Sequence, residues 1–135
     1  MQSGGGIHTI RILMTAASFR KLALALPGAE ESAHMNHPDF RVGGRIFATL
    51  GYPRAGWAAI ALTPEDQAVF VAMNPEAFVP VNGKWGEQGA TNIVLRYAST
   101  PAVRDAIEAA YDARVRKTAA RRQGRTTHRS PRRAR

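Results

Sequence analysis

Four stretches of this 135-residue chain combine side chains that can do chemistry. The first is His34-Met35-Asn36-His37, with Glu31 and Asp39 close by. Two imidazoles and a carboxylate suit a divalent metal. The spacing argues otherwise. H-x-x-H puts both rings on one face only in a helix, and Pro38 biases His37 toward extended backbone. In a strand, residues three apart point to opposite faces. No metal site is expected. The second stretch is Phe40-Arg41-Val42-Gly43-Gly44-Arg45, a hairpin with a guanidinium on each side of its turn. Arg41 and Arg45 then form either a wing for phosphate contact or a solvated tip paired with Glu30, Glu31 or Asp39. The third is Lys84-Trp85-Gly86-Glu87-Gln88-Gly89, read as a loop. Trp85 beside Lys84 either stacks a base or ligand ring or folds back to cap the core. Arg96, at the end of the next strand, would serve the same surface.

The fourth stretch is the C-terminus. Residues 114–135 carry ten Lys and Arg and no acid, while residues 1–113 carry nine basic and ten acidic residues. The formal net charge of +9 therefore belongs to a tail, and the body is nearly neutral. Arg121, Arg122, Arg125, Arg129, Arg132, Arg133 and Arg135 are candidates for neutralising phosphates and releasing counterions. Ser130-Pro131-Arg132-Arg133 resembles the S-P-basic-basic element of linker-histone tails. The other reading of the tail is a solubilising one.

Other chemistries find little support. The chain has no cysteine. That excludes a disulfide scaffold, a thiol nucleophile and thiolate-based zinc or iron–sulfur centres. No Gly-rich phosphate loop follows a strand and opens a helix, and no acid/base pair stands out. No enzyme activity and no cofactor are expected. No run of 18 apolar residues is present, and the N-terminus lacks a basic-then-apolar leader, so a cytoplasmic protein is expected.

The elements that position these residues follow from periodicity. Thr15 caps a helix over 16–26, with Phe19, Leu22, Ala23 and Leu26 on one face and Pro27-Gly28 as its stop. Glu31–His34 leads into a strand ending at Val42. Gly43-Gly44 turns it into Arg45–Leu50, and Trp57–Leu62 follows. Thr63-Pro64-Glu65-Asp66 starts a second helix, with Val69, Phe70 and Met73 expected inward. Phe78–Val81 and Thr91–Tyr97 are further strands. Ser99-Thr100-Pro101 starts a last helix with Val103, Ile107, Ala110, Tyr111 and Val115 in one stripe, losing its apolar face near Lys117. The expected order is α-β-β-β-α-β-β-α. It predicts an α+β, two-layer domain: an antiparallel sheet of about five strands with three helices on one face. Residues 1–14 are expected to be flexible, 15–118 to form the domain, and 119–135 to be a disordered Arg-rich tail.

The middle of the chain resembles a known family. His37-Pro38-Asp39-Phe40-Arg41-Val42-Gly43-Gly44-Arg45-Ile46-Phe47-Ala48 is similar to the H/T-P-x-F-R-V-x-G-K-x-F-A signature of the MmcQ/YjbR family, with Arg45 where Lys is usual. Leu26-Pro27-Gly28-Ala29-Glu30-Glu31, Asn74-Pro75-Glu76-Ala77-Phe78 and Lys84-Trp85-Gly86 fit in the same order, over about residues 15–118. The resemblance implies a two-layer fold like that of type III secretion chaperones, and a DNA-binding, double-wing label. It implies no catalytic set. The expectation is a monomeric, non-enzymatic protein that binds DNA, with RNA as an alternative, through phosphate and without touching membranes. Two rival readings are a chaperone-like protein-interaction module and a small-ligand site near His37 and Trp85.

Overall fold

The structure is a computed structural model that describes residues 14–133, with side chains as far as Arg121. Helix α1 spans Ala16–Leu24, and the Thr15 hydroxyl caps it by accepting from the Ser18 amide at 3.1 Å. Strands β1 (Glu30–His34), β2 (His37–Val42), β3 (Arg45–Leu50) and β4 (Trp57–Ala61) follow. Helix α2 (Pro64–Met73) is capped by Thr63, whose hydroxyl accepts from the Asp66 amide at 3.0 Å, with Pro64 first in the helix. Then come β5 (Phe78–Pro80), a short α3 (Lys84–Glu87), β6 (Ala90–Val94), a 3-10 turn over Leu95–Tyr97, and α4 (Thr100–Arg133).

The strands form one antiparallel sheet in the order β1-β2-β3-β4-β6-β5. Cross-strand partners share a face. Phe40, Ala48, Ile60 and Thr91 lie on one face, with Leu50, Ala58, Ile93 and Phe78 in the next row. This is the helix-covered face. Phe19 of α1 meets Phe40, Tyr111 of α4 meets Phe47 edge-on, and Phe70 of α2 meets Phe78, with centroids 5.4–6.1 Å apart. Val103, Ile107 and Ala110 of α4 are buried here, as their helical spacing requires. The two-layer α+β architecture expected from periodicity is therefore present.

Besides the short α3, which makes four helices where three were expected, three details differ from the sequence reading. The stretch before Phe40 is two strands, not one, because Met35 and Asn36 both take positive φ (49° and 67°) and make a mirror-image tight turn. Only Asn36 hinted at it, so five strands become six. Of Val69, Phe70 and Met73, only Phe70 is buried, since α2 rests on the narrow β5–β6 edge and turns its other side to water. Finally, helix continues to Arg133 where a disordered tail from 119 was expected. Ala119–Gln123 are strong helix formers that follow directly on a helix already nucleated by the body.

Two glycines fix the β5–β6 connection. A Cβ on Gly86 would overlap the Val81 carbonyl oxygen, and one on Gly89 the Leu62 carbonyl oxygen. Gly86→Ala should therefore cost about 2 kcal/mol or more in urea unfolding, as backbone must move to admit it. Gly44, at φ 79° with open space around it, should accept Asn for well under about 1 kcal/mol.

Candidate nucleic-acid interface

Strand directions sort the candidate residues by location. The antiparallel order brings the Gly43–Gly44 hairpin tip, the end of β4, the end of β5 and the start of β6 to one end of the sheet. Helix α4 starts at the opposite end and runs toward that tip. There the Arg114 Nε–H donates to the Ile46 carbonyl at 2.8 Å. One turn on, Thr118 lies against Gly43, with its hydroxyl 3.6 Å from where a Cβ would stand. An open groove of about 200 Å³ lies in this joint, lined by Val42, Gly43, Val115, Thr118 and Ala119.

The joint is cationic. Arg114 is half-buried, and burial holds its pKa below the usual guanidinium value, with the neighbouring Arg45 charge adding to the effect. Neither Arg45 nor Arg114 has a carboxylate partner among the described residues. Two like charges close together, one partly dehydrated, favour an anion between them. Past the joint, α4 presents exposed Arg116, Lys117 and Arg121. Arg114, Lys117, Arg121, Arg125, His128 and Arg132 recur at intervals of three and four, the repeat of one helix face.

Arg41 does not join this cluster. Its guanidinium grips Asp39 with two bonds, Nε to Oδ1 at 2.8 Å and Nη2 to Oδ2 at 3.0 Å. Asp39 is fully buried on the sheet face away from the helices and also binds His34 Nδ1 at 2.7 Å. An ionised carboxylate only accepts, so the His34 nitrogen is the donor. Of the two readings of the hairpin arginines, Arg41 follows the paired one and Arg45 the free one. Glu31 is held by Arg20 at 3.0 and 3.2 Å.

The remaining candidates lie elsewhere. Arg96 sits at the opposite end of the sheet, its guanidinium 4.7 Å from the Tyr97 ring centre. It shares no surface with Lys84 and Trp85. Trp85 is 74% exposed, so it does not cap the core. It stands at the same end as the arginine joint, on α3, the segment that Gln67 of α2 holds through the Gly86 carbonyl at 3.0 Å. The region read as a loop is a short helix because Gly83 permits a tight entry at φ 82°. His34 and His37 are direct cross-strand partners about the Met35–Asn36 turn, not residues of opposite faces in one strand. Their rings part company, His34 toward Asp39 and His37 edge-on to Tyr52 at 5.8 Å. Among the described residues no three His, Asp or Glu side chains are grouped to hold a metal ion, and no helix is long and apolar enough to cross a membrane.

Sequence reasoning counted Arg114 as tail charge and missed its role at the joint. The available signal was its position beside Val115 and three residues past Tyr111, at the border of the apolar stripe.

The YjbR family model matches residues 24–113. Among solved structures, the Deinococcus radiodurans protein DR2400, described by its domain DUF419, superimposes with a TM-score of 0.61 at 15% identity, covering 73% of this chain and 77% of that one. At that identity the likeness concerns the fold. No curated protein matches the chain.

The Asp39 cluster has a pH signature. Arg41 hydrogen bonding is the largest influence on the Asp39 carboxyl and lowers its pKa; burial opposes this, and His34 adds to the lowering. A depressed folded pKa gives stability that is present above the unfolded value of about 3.9 and is lost as pH falls through the lower folded value. Asp39→Asn should thus lower the urea midpoint clearly at pH 7. The gap to the parent protein should narrow below about pH 4, as the parent loses its own carboxylate. Equal gaps at pH 7 and pH 3 would remove the ion pair from the account.

Proposed function

The chain belongs to the YjbR family, and on that footing we propose that it is a small, non-enzymatic cytoplasmic protein that binds nucleic acid through backbone phosphates. DNA is the expected partner and RNA the alternative. The arginine joint supports the reading most directly. A half-buried Arg114 is bonded to the carbonyl of Ile46, the residue after Arg45, and neither arginine has a carboxylate partner, at the root of a helix whose remaining length carries eight further arginines and lysines up to Arg133. The hairpin tip orients the phosphate; the extended helix supplies attraction. Contacts of this kind position a protein without reading sequence, so little sequence preference is expected.

A salt titration tests this. One face of a helix cannot place every cation on phosphate at once, so about five to seven contacts are expected. At about −0.9 per contact on duplex DNA, log K against log salt should slope at about −4 to −6. Arg45→Ala should flatten the slope by about one unit, which a tail acting alone would not show. Ending the chain after Arg121 removes six arginines beyond the last buried side chain of α4, and should bring the slope to about −1 to −2. A slope unchanged by both alterations would show that the phosphates contact some other surface.

A further inference from the structure

The two edges of the sheet are finished differently. β5, at one edge, has three residues and ends in Pro80, which has no amide hydrogen to offer. β1, at the other, has five residues, every one of them exposed. Its hydrogen-bonding pattern follows from Pro38. Paired antiparallel residues alternate between those that exchange both backbone bonds and those that exchange none. Pro38 cannot donate, so its partner Ala33 belongs to an unbonded pair, and so does Glu31, two residues away. Ser32 and His34 therefore spend their amides and carbonyls on β2. Glu31 and Ala33 turn theirs outward, where no backbone partner stands among the described residues. An unused rail of this kind is a template for a further strand.

The strand fits a second copy of itself. When it is laid antiparallel across a two-fold axis at Ser32, Glu31 of each copy meets Ala33 of the other, and the two pairs exchange four backbone bonds. Ser32 meets Ser32 in the unbonded pair between them. Glu30 of each copy comes opposite His34 of the other, an acid against the one basic side chain of the strand. The contact that would oppose this pairing is Glu31 with its own copy on the diagonal. Arg20 already neutralises that carboxylate with bonds of 3.0 and 3.2 Å. We propose that the protein forms a two-fold dimer through β1, joining two six-stranded sheets into one, in place of the monomer expected from the sequence. Five residues a side make a small interface, so the dimer is weak and exchanges with monomer. It does not depend on nucleic-acid binding.

The test uses the full chain, with salt enough to screen its net charge of +9, which opposes self-association. Sedimentation equilibrium should show the mass rising from monomer toward dimer with concentration. Ala33→Pro removes one outward donor per copy, hence two of the four bonds, and leaves the ladder to β2 intact. It should weaken association about tenfold or more, with the melting profile near that of the parent. Glu30→Lys, at an exposed site, sets a cation opposite His34 and should weaken association about threefold or more. The chain has no cysteine, so a single introduced thiol can bridge only between copies. An unbonded antiparallel pair brings its Cα atoms to about 4.5 Å, within the range of a disulfide. Ser32→Cys should therefore cross-link under mild oxidation well before Ala33→Cys, whose copies lie on the diagonal. A parent that stays monomeric leaves the edge to a strand of some other protein and overturns the proposal. So would association unchanged by both Ala33→Pro and Glu30→Lys, or cross-linking no faster at Ser32 than at Ala33.

Discussion

A carboxylate with no access to water has to be neutralised where it stands, and Asp39 imposes that requirement on the β1–β2–β3 corner of the sheet. Leaving such a charge unpaired is among the costliest things a fold can do. Arg41 takes both of its oxygens and His34 adds a third bond. The His34 bond reaches across the Met35–Asn36 turn, so an edge strand made of Glu30–His34, polar throughout but for Ala33 and exposed along its whole length, is tied to the sheet by this bond and its backbone ladder and not by apolar burial. The same requirement commits two of the three guanidinium nitrogens of Arg41 to Asp39. What remains free at the hairpin is Arg45, and its neighbour across the joint is Arg114.

Charge is thereby sorted at one end of the molecule. On the α4 side of that end, Arg45 and Arg114 stand without carboxylate partners; the α2–α3 side carries Glu65, Asp66 and Glu87 and the exposed Trp85. Family membership accounts for the shared domain over residues 24–113, and the arginine-rich extension of α4 lies beyond it. The feature that most favours nucleic acid is therefore built largely outside the region that the family defines. Its attachment point, Arg114 and Ile46, is the place where the two meet.

Much of the fold was legible because it rests on local rules. Thr15 and Thr63 cap as their sequence contexts indicate, and the apolar stripes of α1 and α4 bury Phe19, Ala23, Val103, Ile107 and Ala110 as their spacing requires. What was not legible depends on contacts between distant segments. The turn at Met35–Asn36 lacks glycine, so its positive φ values carry almost no sequence signature. Met73 has the spacing of an inward residue but no sheet beneath it. The candidate site divides in the same way. The basic run was plain in the composition, whereas the partnering of Arg41 and the burial of Arg114 depend on Asp39 and Ile46 being brought alongside by the fold. Whether Trp85 faced the core or water was settled by two glycines whose close approach to Val81 and Leu62 no linear pattern announces.

The length of α4 sets a distance scale of its own. At about 1.5 Å per residue, its 34 residues extend about 50 Å, and the part beyond Arg121 alone covers nearly 20 Å. Mobile ions damp a charge within about 8 Å at physiological salt. The far end of the helix thus stands more than two screening lengths from the carboxylates of α2 and α3, and the field it presents to an approaching polyanion is its own. On the nucleic-acid reading proposed above, the helix would serve as an outrigger with an enlarged capture radius, beyond the cancelling reach of the body. Lower the salt tenfold, and the screening length grows to match the length of the outrigger, so that the two ends of the molecule begin to act on one another.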